Sequence, residues 1–373
     1  MKSYDFSQVP NYLNRQMFLD PAGGVTVQRF EEVAYPRIAK FEEIGRGFFW
    51  VPEEISLAQD KNDHKRATDA QKFVFTQNLL RQTALDSLQG RAPSQVFTPV
   101  CSVPEVEALV NNWSFFETNI HSKSYSHIIR NIYNMPQEEF NSIHDCQPII
   151  DMAASVGRYY EDLHLLNCRK ELASTQAGFV VVAPTEEEHI RAIWMALNAS
   201  YALEALRFMV SFATALAMVE NRIYMGNGNI ISLILQDETL HTEWTAYMIN
   251  QVVKDDPRFA KAKRECEPEV WMLYQEVINE EKAWADHLFQ HGVVVGLNAD
   301  ILKKFVDYMA TNRLKDIHIK VPDSIRTTMN PIPWFNKHTR QSSKQVALQE
   351  QESVNYIIGA MGGDVDFDEL PDL

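Results

Sequence analysis

Glycine and proline are scarce in this 373-residue chain, at 14 and 16 residues. Few breakers leave few turns, which argues against a turn-rich β architecture. Cysteine is scarcer still: Cys101, Cys146, Cys168 and Cys266 form no C-x-x-C pair. This excludes a zinc knuckle and a dithiol redox motif, and it fits a reducing compartment. Positive charge is also short, with 35 Lys and Arg against 50 Asp and Glu and a net charge of −15. An acidic chain is repelled by phosphate backbones, so no direct contact with nucleic acid is expected. The first residues, MKSYDFSQVPNYLNRQ, contain no apolar signal core. The most apolar stretch, Ala192 to Val219, carries Glu204 and Arg207, and its charge-free part from Phe208 to Val219 is too short for a bilayer. A soluble cytoplasmic protein with no membrane contact is expected.

Long stretches of helical periodicity fill the chain, at roughly 29–48, 65–89, 103–132, 137–162, 186–221, 227–254, 257–289 and 297–315. The fold class expected is all-α. Residues 1–28 read as an extended segment broken by Pro10, Pro21 and Gly23–Gly24, and 29–320 as the helical domain. Within it, 163–184 has room for a short hairpin around VVVAP. Residues 321–349 read as irregular. The last segment, 350–373, has seven acids and no Lys or Arg, yet Tyr356, Ile357, Ile358, Phe367, Leu370 and Leu373 recur among them. A plain solvated tail would not need those apolar residues, so a flexible peptide that docks on a partner is favoured.

The chemistry is concentrated in one repeated arrangement. Asp86 precedes Glu117-x-x-x-His121 by 31 positions, and Glu204 precedes Glu238-x-x-His241 by 34. Residues three or four apart share a helix face, so each pair presents a carboxylate and an imidazole side by side. Bundles that hold two metal ions draw a lone carboxylate from each of two helices and a Glu/His pair from each of two others. Four carboxylates balance two divalent ions, and a bare site would bury four like charges. Oxygen-rich ligands with two imidazoles suit iron or manganese better than zinc or calcium. A single Glu/His pair on a helix is more often surface decoration. Glu204, however, sits inside SYALEALRFMVSFATALAMV, where an unpartnered carboxylate is costly. Tyr125, one turn beyond His121, is ordinary core by default and a one-electron donor if metals lie beside it; Phe208, Phe212 and Ile234 could wall it off from water.

These residues sit in words that resemble the small, radical-generating subunit of class I ribonucleotide reductase. The resemblance runs from about residue 15 to the C-terminus. It is carried by FFWVPEEI (48–55), TALDSLQGRAPS (83–94), IHSKSYSHIIRN (120–131), ALEALRFMVSF (202–212), DETLH (237–241), NPIPW (330–334) and NYIIGA (355–360). It implies a ferritin-like helical bundle with additional helices and a flexible C-terminal tail. It also implies a two-metal centre, iron by default with Mn/Mn or Mn/Fe as alternatives, charged by molecular oxygen or another oxidant. By position, Asp86, Glu117 and His121 would hold one ion and Glu204, Glu238 and His241 the other, with carboxylates bridging. Tyr125 stands at the radical position, Phe208, Phe212 and Ile234 at the radical pocket, and Trp50, Asp237 and Tyr356 on the radical-transfer path. The implied partners are a second copy of the chain and a large catalytic subunit engaged by the tail. A ferroxidase of the same architecture, or an acidic scaffold, would need neither Trp50 nor Tyr356. One departure stands out: the family has Glu-x-x-His in the first pair, and here one residue is added. Counting back three from His121 reaches Thr118, a poor ligand, so a π-bulge between Trp113 and His121 is expected to keep Glu117 on the site.

Overall fold

The structure is a computed structural model that describes residues 6–7, 9–174, 181–294 and 296–340. Its helices are α1 (Pro36–Gly47), α2 (Ala58–Arg66), α3 (Asp69–Gln89), α4 (Pro104–Phe115), α5 (Ser122–Ile132), α6 (Pro136–Asn141), α7 (Gln147–Ser174), α8 (Glu186–Ala202), α9 (Met209–Glu220), α10 (Met225–Asp255), α11 (Pro257–Glu265), α12 (Glu267–Leu288), α13 (Ala299–Asp316) and α14 (Asn336–Arg340). A π-helical turn, Phe116–His121, joins α4 to α5, and another, Leu203–Arg207, lies between α8 and α9. Among the described residues there is no strand, only the isolated bridges Phe18–Cys101 and Val294–Leu297. The architecture is an all-α, ferritin-like bundle with extra helices.

Local chemistry accounts for the starts. Thr68 and Gln71 close a reciprocal capping box at α3, and Thr185 and Glu188 do the same at α8. Pro36, Pro104, Pro136 and Pro257 each occupy a first-turn position, where the missing N–H is not needed. Several boundaries differ from the periodicity reading. The stretch 65–89 is split by the Thr68 cap, and 257–289 is split at Cys266. The region 137–162 becomes α6, a short 3₁₀ turn and α7. The hairpin expected at 163–184 is not formed by the described part of that stretch: α7 runs on to Ser174, burying Val156, Tyr160, Leu163 and Asn167 along one face. Within 321–340, Pro333–Phe335 forms a 3₁₀ turn and leads into α14. Tyr356 and the docking tail at 350–373 lie outside the described residues.

Four helical rods position the site: α3, α4–α5, α8–α9 and α10. The rod α8–α9 is the innermost. From Ile193 to Met218 every residue is buried, and α7, α10, α11, α12 and α13 all pack against it. Glu186–Glu220 is long and apolar enough to cross a bilayer, but 94% of its most apolar window is packed inside the protein. The apolar run is therefore the wall of an interior. Any polar group within it needs a partner.

Candidate metal centre

Of three π turns among the described residues, Phe116–His121 and Leu203–Arg207 carry candidate ligands and Pro93–Phe97 does not. In a regular α-helix, one extra residue between Trp113 and His121 would turn the helix before Glu117 by about 100° relative to His121. The turn Phe116–His121 absorbs that residue, and Glu117 and His121 both point inward, fully buried. Thr118 faces the other way and donates its hydroxyl to the Gly90 carbonyl at 3.1 Å. The approach is so close that a Cβ on Gly90 would meet Thr118 Oγ1 at 2.5 Å. The π turn Leu203–Arg207 carries Glu204. No spacing anomaly in the sequence announces it.

The six residues converge. Asp86, Glu117, His121 and Glu238 form one group of potential ligands, and Glu117, Glu204, Glu238 and His241 form another; within each, the ligand atoms lie within 4.8 Å of one another. Glu117 and Glu238 belong to both. Glu117 places Oε2 at 3.1 Å from His121 Nδ1 and Oε1 at 2.8 Å from His241 Nδ1. Glu238 places Oε1 at 3.2 Å from His121 Nδ1 and Oε2 at 3.2 Å from His241 Nδ1. Asp86 and Glu204 sit at the two ends, 3.9 Å from His121 Nδ1 and 3.7 Å from His241 Nδ1. Glu117 and Glu238 thus each face both imidazoles, and Asp86 and Glu204 each face one.

Four buried carboxylates in contact are unstable by themselves. Burial, followed by repulsion from Glu117, drives the Asp86 carboxyl well above its usual range; burial and the neighbouring Glu238 do the same to Glu204. Glu238 goes the other way: the neighbouring Glu204 and the two histidines outweigh its burial, so it stays ionised. Burial alone would lower both imidazoles, but the surrounding carboxylates raise them. Asp86 Oδ1 and Oδ2, Glu117 Oε1, Glu204 Oε2 and Glu238 Oε1 accept no hydrogen bond. Buried acceptors without donors carry a desolvation cost, and paired divalent cations are the groups that this donor set would satisfy.

The surroundings are ordered by hydrogen bonds. Asp237 Oδ2 contacts His121 Nε2 at 3.0 Å and accepts from Trp50 Nε1 at 2.9 Å. A proton on Nε2 of His121 leaves the Nδ1 lone pair free toward the carboxylates. Trp50, Asp237 and His121 therefore form one continuous chain. Tyr125 is fully buried, with its phenol beside the Asp86 carboxylate. Burial and the adjacent carboxylates push its phenol well above the ordinary value, keeping the proton on in the resting protein. Phe208, Phe212 and Ile234 are each fully buried, and the two phenylalanine rings stack 5.3 Å apart. Two tryptophans escaped the sequence reading. Trp113 donates Nε1–H to Glu204 Oε1 at 2.8 Å, and Trp244 stacks on the His241 ring. Aromatics at helical spacing read as core, so spacing alone does not expose them.

Comparison with known proteins points the same way. A model of the family "Ribonucleotide reductase, small chain" matches residues 28–322. The chain is 38% identical to the ribonucleoside-diphosphate reductase 1 subunit beta of Salmonella typhimurium, covering 98% of this chain and 97% of that protein. It is 34% identical to the corresponding subunit beta of Enterobacteria phage T4, over 95% and 94% of the two chains. Among solved structures, the ribonucleotide reductase R2 subunit from Clostridium botulinum superposes with a TM-score of 0.76 at 19% identity, over 90% of this chain and 97% of that one. The dimanganese(II)-NrdF of Streptococcus sanguinis superposes with a TM-score of 0.64 at 19% identity, over 83% and 99%.

Proposed function

The chain belongs to the small-chain family of ribonucleotide reductase, and we propose that its buried carboxylate–histidine cluster holds two metal ions that charge a radical on Tyr125. It is the small subunit of ribonucleoside-diphosphate reductase, acting as a homodimer with a large subunit that reduces ribonucleotides. The observation that carries the metal reading is the set of five buried carboxylate oxygens without a hydrogen-bond donor. Asp86, Glu117 and His121 would hold one ion, Glu204, Glu238 and His241 the other, with Glu117 and Glu238 shared between them. When bound, a redox-active pair supplies one-electron oxidising power, with molecular oxygen as the oxidant. Iron is the pair we favour. Manganese is the second reading, supported by the likeness to the dimanganese(II)-NrdF of Streptococcus sanguinis. Four free cysteines fit a reducing cytoplasm.

The chain's own residues supply the rest. The phenol of Tyr125 loses one electron and one proton, and the Asp86 carboxylate beside it is the group placed to take the proton. Phe208, Phe212 and Ile234 keep water and reductants from the oxidised ring. Asp237 holds His121 in the tautomer that turns Nδ1 inward, and its bond to Trp50 starts the path by which the oxidising equivalent leaves. Tyr356 continues that path on the tail, which anchors the large subunit. Tyr125→Phe should retain fold and two metal ions but show no tyrosyl signal by electron paramagnetic resonance after oxygen exposure; a persistent tyrosyl signal sinks the assignment. Deleting residues 354–373 should abolish tight binding to the large subunit, and unchanged affinity removes the tail from that role.

A further inference from the structure

The two candidate ligand histidines are held differently. His121 has a carboxylate behind it, because its Nε2 meets Asp237 Oδ2 at 3.0 Å. His241 Nδ1 faces Glu117, Glu204 and Glu238, but among the described residues its Nε2 makes no hydrogen bond. An imidazole free at that end can rotate about its Cβ–Cγ bond, which would swing Nδ1 out of line with the cluster. What meets it instead is the face of Trp244, one turn further along α10. The two ring centroids are 4.5 Å apart and the planes are 26° from parallel.

Trp244 is itself clamped. It is fully buried, and the edge of Trp113 meets it at 5.9 Å and 69°. Trp113 is pinned in turn by its bond to Glu204 Oε1 at 2.8 Å. On the α1 side, Gly45 lets the backbone approach: a Cβ there would stand 3.3 Å from the Trp244 ring. The Trp244 Nε1–H has no hydrogen-bond partner. Filling space alone would be served by leucine or phenylalanine without burying an unpaired donor. The indole adds a broad, electron-rich face. Such a face attracts an imidazole more strongly once a cation on Nδ1 has drawn electrons out of the ring.

Resting on the two-metal reading above, we propose that Trp244 is the positioning residue for His241: its stacked face fixes the imidazole plane and so sets the affinity of the Glu204–Glu238–His241 half of the site, as Asp237 does for His121. The two halves are thereby unequal. One imidazole is made more basic by a carboxylate, and the other is oriented by an aromatic face.

The test is a titration of the full-length, metal-free chain with Mn²⁺, followed by electron paramagnetic resonance, for wild type, Trp244→Leu and Trp244→Phe. Wild type binds two ions. In Trp244→Leu one ion keeps its affinity and the other is weakened about tenfold, the lower end of what loss of a supporting group costs a metal ligand. Trp244→Phe retains a stacking ring and recovers most of that loss. Should the leucine variant fail to fold by circular dichroism, Trp244→Met takes its place. The proposal is overturned if both ions bind the ring-less variant as wild type does, if both weaken equally, or if phenylalanine is no better than leucine. Failure of the underlying metal reading looks different: wild type itself then takes up fewer than two ions.

Discussion

Replacing Glu204 with glutamine separates what this residue does for the fold from what it does for the metal. In the metal-free chain Glu204 is fully buried; its Oε1 accepts from Trp113, and its Oε2 accepts nothing. Glutamine keeps the Trp113 bond and turns the idle position into a donor beside the Glu238 carboxylate. Removing one unpaired buried acceptor stabilises the metal-free fold by about 1–3 kcal/mol. An unfolding entropy of about 2.1 cal/mol/K per residue gives about 0.8 kcal/mol/K for 373 residues, so Tm rises by about 1–4 °C. Metal reverses the comparison. At a free ion concentration of about 100 times Kd, each site adds about 2.7 kcal/mol, and two sites raise the wild-type Tm by about 7 °C. Glutamine removes one charged ligand, so one site empties at that concentration and the metal-induced rise falls by roughly half. Scanning calorimetry of both proteins, with and without Mn²⁺, reads all four values. The reasoning is refuted if metal-free Glu204→Gln melts at or below wild type and its metal-induced rise is undiminished.

Other parts of the bundle make independent predictions. Burial, against the pull of Arg81 and Arg207, raises the Glu281 carboxyl to about 7. A carboxyl raised on folding favours the fold below its unfolded pKa and loses that advantage as pH rises, so the stability of wild type relative to Glu281→Gln should fall by about 3 kcal/mol between about pH 4.5 and pH 7. Denaturant titrations across that range test this, and parallel curves would contradict it. A Cβ at Gly228 would stand 1.9 Å from Val219 Cγ2. Gly228→Ala should therefore cost about 1–3 kcal/mol, and Val219→Ala in the same chain should recover most of it; no recovery would mean that the clash lies elsewhere. Buried Asp60 accepts the N–H groups of Gly226 and Asn227 at 3.0 and 2.9 Å, at the start of α10. Asp60→Ala should cost about 1.5–3 kcal/mol per bond lost and speed amide exchange in the first turn of α10. Unchanged exchange there would show that α10 needs no such cap.

Much of the site is legible in the sequence because its candidate ligands come in helical pairs. Glu238 and His241 declare their shared face by spacing alone. Glu117 and His121 declare a departure from it, which the turn Phe116–His121 accommodates. The π turn at Glu204 has no such signature, since a lone carboxylate has no in-chain partner against which register can be read. In the described part of 163–184 the hairpin expectation, prompted by the β-branched VVVAP, gives way to helix: Leu163 and Asn167 continue the buried face of α7, and the helix runs on to Ser174. The supporting contacts were also silent. Trp244 lies three residues after His241, a spacing equally suited to plain core, and only the packing of α1 and α4 over it shows which face it presents.

The most direct test of the two-metal claim is anomalous diffraction from crystals of the chain loaded with Fe²⁺ or Mn²⁺. The account predicts two peaks per chain, one among Asp86, Glu117, His121 and Glu238 and one among Glu117, Glu204, Glu238 and His241, with Glu117 and Glu238 touching both. A single peak, or Glu117 turned away with the π turn relaxed to a regular helix, would contradict it.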